Sequence, residues 1–269
     1  MKTVLKILTV ILILSTIPSV SNAKHETIYT SSSRAKIPGH VLNISKDNTY
    51  PNPVQDLQSL EPSSFTRKLI KTSKIKIENP DLIKLLNESS IKNAPLAVGY
   101  RANIYLGYWP LNYSSQETTV NWEYHRININ YIDNRGGNTT RQLHYSQDSQ
   151  KTVRGGLTSK IESSDQVKKM IQLEAVENSK LPLSFETVIG VGTKKDQVYN
   201  IPSKKLGYLY TYVPAVNERG KVTFGEVYLV LEGNKKQIKI RNVTSQGIGA
   251  WIPVQEYVSF SFMHSNTPR

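Results

Sequence analysis

The sequence predicts an α+β fold, mainly antiparallel sheet with three short-to-medium helices. Three observations carry this. Helix-start signals occur at Asn79-Pro80-Asp81 and at Ser163 to Gln166. From about residue 96 the apolar period becomes two, the period of a strand. Turn chemistry, Asp133-Asn134-Arg135-Gly136-Gly137 and Gly233-Asn234, then separates alternating runs.

The helices come first. Ser63 or Ser64 is placed to cap a short helix carrying Phe65, Leu69 and Ile70. Asn79-Pro80-Asp81 combines a capping amide, a proline where no N–H is needed, and an acid against the helix dipole. Leu82, Ile83, Leu85 and Leu86 supply that helix's buried face. Ser163 and Gln166 fit a capping box for the third helix, whose apolar residues are Val167, Met170, Ile171, Leu173 and Val176; Pro182 ends it.

The strands follow. Ala102, Ile104 and Leu106 alternate with Arg101, Asn103 and Tyr105. Residues 122–131 alternate in the same way, and the glycines of the turn at 133–137 should fold them back onto 141–145. The C-terminal third reads as a meander. Residues 206–213 lead to Asn217-Glu218-Arg219-Gly220, read as a hairpin turn, and 222–231 follow as a central strand. Gly233-Asn234 then returns the chain into 235–243, with Ile238 and Ile240 inward and Lys235, Gln237, Lys239 and Arg241 outward. Val258, Phe260 and Phe262 make a last strand.

The stretch VIGVGTKK, 188–195, has a Gly-x-Gly after an apolar run. A phosphate loop needs a helix to follow, because the orphan N–H groups of a helix start bind the anion. Pro202 arrives too soon, and the spacing fits neither dinucleotide nor P-loop patterns. The stretch is read as a strand-exit turn, with no nucleotide bound.

Residues 1–23 read as a signal peptide: Lys2 and Lys6, an apolar core from Ile7, then Ser21 and Ala23 before an expected cleavage at Lys24. The core falls short of the roughly 20 apolar residues a spanning helix needs, with a retained membrane anchor as the alternative. Residues 24–62, rich in Ser, Pro, Asn and charge, read as an extended arm with little core of its own, and 63–269 as a single domain. The 269 residues contain no cysteine, so neither a disulfide framework nor a lipid-modified cysteine is available.

The formal charge is +13, or 13 − 2 = +11 without Lys2 and Lys6. Outside a cell, that excess points to anionic wall polymers or membrane surfaces as partners, not to nucleic acid. No H-x-H or H-E-x-x-H spacing occurs among the five histidines, and no G-x-S-x-G elbow is present. His125 and His144 would face each other only across the expected 133–137 hairpin. No catalytic residue, cofactor or metal ligand is assigned. Tyr208, Tyr210 and Tyr212 share a strand face and are read as core, with rings stacked on sugars as the alternative.

Five stretches together resemble the YfkD-like family of exported Bacillus proteins: NISKDNTYPNP (43–53), KIENPDLIKLLNESSI (76–91), GYRANIYLGYWPLNY (99–113), GTKKDQVYNIPSKKLGYLY (192–210) and SQGIGAWIPVQEYVSFSFM (245–263). The resemblance implies a Bacillus-type host and an envelope or extracellular location, and brings no activity. The expected function is a non-catalytic envelope-associated protein that binds a partner or an anionic wall polymer. Lys235, Lys239 and Arg241 are the candidate polymer contacts. The alternative is an extracellular hydrolase that attacks a wall polymer with dispersed carboxylates.

Overall fold

The computed structural model describes residues 36–53, 60–89 and 100–268. The expected signal peptide and the start of the arm lie outside them. The described elements are β1 (Val41–Asn43), α1 (Ser64–Ile70), α2 (Pro80–Glu88), β2 (Arg101–Asp133), β3 (Arg141–Ser146), β4 (Lys151–Arg154), β5 (Gly156–Leu157), α3 (Ser164–Ser179), β6 (Glu186–Ile189), β7 (Lys194–Ile201), β8 (Leu206–Glu232), β9 (Lys235–Pro253) and β10 (Tyr257–Ser265). Three helices against a predominance of antiparallel strand agree with the expected class.

β8 is the spine. Its 27 residues would span on the order of 90 Å at ordinary strand rise. β2 follows it antiparallel along one side from Asp133↔Leu206 to Arg101↔Glu232. On the other side β10 takes the first stretch and β9 the rest. β1 continues the sheet beyond β10, and β5 does so beyond β9. β2 pairs only with β8 among the described strands and is interrupted by five register shifts. Bulges of this kind keep a long edge from templating another strand.

Apolar contact is distributed along β8 on alternating sides. In the middle, Val216, Val222 and Phe224 pack with Val167, Ile171 and Ala175 of α3. Toward the start, Leu209 and Val213 point the other way, into Leu143, Tyr145 and Ile201 of β3 and β7. Toward the end, Val227 and Leu229 meet Leu69, Leu82 and Leu86 of α1 and α2. The arm joins this framework: β1 pairs with β10, and Ile44 is fully buried in the second cluster.

The helix signals hold, with two corrections. Ser63 caps α1 and Asn79 caps α2, its Oδ1 accepting from the N–H groups of Asp81 at 2.9 Å and Leu82 at 3.3 Å. Leu85, expected inside, is exposed. The capping box of α3 does not form. Ser163 is left-handed at φ 50° and makes no side-chain cap. Gln166 instead accepts a hydrogen bond from the buried amide of Asn79 at 2.9 Å, so the interhelical bond takes the partner a capping box would use.

Two turn expectations fail for different reasons. The 133–137 turn forms, but β3 pairs with β7 and not with β2. Asn134 holds the turn to the β7–β8 connection, donating to the carbonyls of Ile201 and Pro202. β3 thereby becomes a cover for the apolar face of the main sheet. At 217–220 no turn exists, and β8 runs straight through. Gly220 serves space: a Cβ there would lie 2.2 Å from the Ser114 carbonyl oxygen and 2.6 Å from the Tyr113 ring. Gly233-Asn234 is a hairpin as read, with Gly233 at φ 56° and Glu232 opposite Lys235.

The Gly-x-Gly stretch is a strand-to-strand turn between β6 and β7. Asn52 pairs with the Val188 backbone as a neighbouring strand would, donating to its carbonyl at 2.9 Å and accepting its N–H at 2.8 Å. Asn48 accepts from the Gly190 N–H at 2.9 Å. Lys195 is not simply in solvent, since it pairs with Asp47 at 2.6 Å.

Candidate polymer-binding face

The β8–β9 hairpin places Lys235, Lys239 and Arg241 on alternate positions of one strand. The opposite face is committed: Val227, Leu229 and Ile238 are buried under α1 and α2. The three cations therefore face solvent, and all three are exposed. None forms an ion pair among the described residues, whereas Lys169 and Lys195 are paired with Asp81 and Asp47.

The register adds residues that alternation along one strand does not reveal. Lys239 is opposite Tyr228, which is opposite Tyr105; Lys235 is opposite Glu232, which is opposite Arg101. Tyr105 and Tyr228 have ring centroids 5.2 Å apart, and the Arg241 guanidinium lies 4.9 Å from the Tyr228 centroid. A cation held over a ring keeps its charge while its stem is ordered. The Tyr228 hydroxyl donates to Glu226 at 2.9 Å. Hydrogen bonds from Asn242 and Tyr228 hold the Glu226 carboxyl below the usual range, so it is ionised at neutral pH.

A bulge extends the face along β2. Between Tyr105 and Gly107 the register shifts, and Gly107 adopts φ 115°. Tyr108 then stacks on Phe224, with centroids 5.7 Å apart and an 8° interplanar angle, and its hydroxyl is 2.9 Å from that of Thr244. An open groove of about 620 Å³ lies there, lined by Tyr108, Glu162, Phe224, Thr244, Ser245 and Gln246.

In the other aromatic row Tyr208 is buried, as expected of core, while Tyr210 and Tyr212 are half-buried. Tyr208, Tyr210 and Tyr212 belong to none of the three clusters, because the opposite side of that part of β8 faces β3 and β7. Tyr131, 63% exposed, stacks on Tyr208 at 6.1 Å, Tyr208 on Tyr210 at 6.2 Å, and Arg126 lies 5.7 Å from the Tyr210 ring. His125 is on β2 opposite Val213, while His144 is on β3, which pairs with β7; both are exposed. Among the described residues, no group of three His, Cys, Asp or Glu side chains could hold a metal.

One carboxyl is deeply buried. Glu218, in the middle of β8, accepts hydrogen bonds from the Tyr113 hydroxyl at 3.1 Å and the Thr118 hydroxyl at 2.6 Å. Asn178 of α3 donates to Thr118 at 3.2 Å. Burial pushes the Glu218 carboxyl above its ordinary range despite these donors, and burial also raises the Tyr113 phenol and the Glu174 carboxyl.

A family model described as YfkD-like protein matches residues 38–269, which takes in every element above. The chain belongs to the YfkD-like family. The uncharacterized protein YfkD of Bacillus subtilis (strain 168) is 58% identical over 234 residues, covering 87% of this chain and 89% of that protein. Among solved structures, a lamprey immune protein is 6% identical over 61% of this chain and 53% of its own length. Its TM-score of 0.24 is too low for a shared fold to be argued.

Proposed function

We propose that this YfkD-like protein is an exported, envelope-associated binding protein that holds an anionic wall polymer against the β8–β9 hairpin. The observation that carries the reading is the set Lys235, Lys239 and Arg241: exposed, on one face and in no ion pair among the described residues, although Glu232 and Glu226 are the cross-strand neighbours of Lys235 and Arg241. Tyr105 and Tyr228 lie beside them and offer apolar surface to a bound chain. The signal-like residues 1–23 and the formal charge of +13 support a basic protein delivered to an anionic surface. Clustered cations attract a polyphosphate backbone at long range and lose that attraction as salt rises.

The test is adsorption to purified cell walls. Lys235→Gln, Lys239→Gln and Arg241→Gln together should weaken adsorption severalfold at low salt and much less at high salt. The melting temperature should stay nearly unchanged, because exposed side chains outside ion pairs contribute little to folding. Unaltered adsorption at low salt would remove these residues from the site.

A further inference from the structure

The groove beside the cationic strip has a chemistry of its own. Phe224, Glu226 and Tyr228 alternate along one face of β8, about 7 Å apart from one to the next. Their partners on β9 are Thr244, Arg241 and Lys239. The groove floored by Phe224 therefore begins where the strip ends, on the same face. Gln246 donates to the Lys160 carbonyl at 3.1 Å, which ties the connection bearing Glu162 to β9 and sets one wall.

We infer that this groove is a hydroxyl-recognising subsite, and that the polymer held by the strip is a polyol phosphate and not a bare polyanion. This deepens the proposed binding function and rests on it. The groove's polar lining is two aliphatic hydroxyls, a phenol, an amide and one carboxylate, Glu162. It contains no lysine or arginine. A carboxylate repels a phosphate, yet its two oxygens accept a pair of neighbouring hydroxyl groups. Tyr108 and Phe224 supply apolar surface for the carbon skeleton between those hydroxyls. Phosphates on Lys239 and Arg241, with the polyol that follows the Arg241 phosphate in the groove, satisfy both halves of the face.

The experiment compares two probes on the whole protein at equal phosphate concentration and fixed salt: inorganic polyphosphate and poly(ribitol phosphate). The expected result is at least about fivefold tighter binding of poly(ribitol phosphate), the worth of one net hydrogen bond. Glu162→Ala with Ser245→Ala should abolish that preference and leave polyphosphate binding intact. Both positions are exposed, and unchanged circular dichroism and melting will verify folding. Equal affinity for the two probes, or a preference that survives the double substitution, overturns the subsite while the cationic strip stands. Binding of neither probe overturns the strip and the subsite together.

Discussion

Glu218 is the residue whose environment most constrains the fold's response to pH. It lies within the cluster that α3 makes on β8, with hydroxyl donors and no cation among its partners. The titratable groups facing it are Tyr113 from β2, whose hydroxyl donates to the carboxylate, and Glu174 from α3, whose charge opposes ionisation; burial outweighs the donors. A carboxyl raised in the folded state stabilises the fold below its unfolded value, and that contribution is lost as pH rises through the folded value. Stability should therefore fall as pH climbs above the ordinary glutamate range of about 4.3. Glu218→Gln should flatten that fall, leaving the smaller slope due to Glu174. Urea unfolding at several pH values from mildly acidic to neutral measures it, and parallel curves for the two proteins would refute this assignment.

At the scale of elements, one asparagine joins three of them. Asn79 caps α2, donates to the Pro110 carbonyl of β2 at 2.7 Å, and donates to Gln166 of α3 at 2.9 Å. Asn79→Ala removes a cap and leaves buried partners unsatisfied, which should cost about 2–4 kcal/mol. Gln166→Ala removes only one of these bonds and should cost clearly less; equal losses in denaturant titrations would contradict this division. Asn79-Pro80-Asp81 was legible as a helix start because capping is local. Its ties to β2 and α3 were not, since they depend on which elements the fold brings together. The same distinction explains the strands. Gly233-Asn234 encodes its own hairpin, whereas β3 is assigned to β7 by the need to cover Leu209 and Phe260. Asn217 to Gly220 has turn composition, but Gly220 is there to admit Tyr113 and Ser114. Within the binding face, the alternation of Lys235, Lys239 and Arg241 could be read from one strand. Tyr105, Tyr228 and the groove required the three-strand register and the bulge at Gly107.

Over the whole described fold, three apolar clusters are strung along one pair of strands. They are not insulated. Val213 and Val216 belong to different clusters three residues apart on β8, and so do Phe224 and Val227. On β2, Leu111 and Tyr113 divide in the same way. Opening any one cluster strips cover from one side of β8 and disturbs the ladder that positions the next. Cooperative, all-or-none unfolding follows from such sharing, where separate cores on separate segments would melt independently. Natural reporters are in place: Trp109 packs against the α1–α2 cluster and Trp122 against the α3 cluster. Trp109→Phe and Trp122→Phe, each combined with Trp251→Phe, leave one tryptophan reporter apiece. Thermal or urea curves followed by the remaining fluorescence should coincide with far-ultraviolet circular dichroism within each variant. A fluorescence midpoint in either variant that departs from its circular dichroism midpoint would show that β8 fails to couple the clusters, and that the hairpin face can open while the rest of the sheet stays folded.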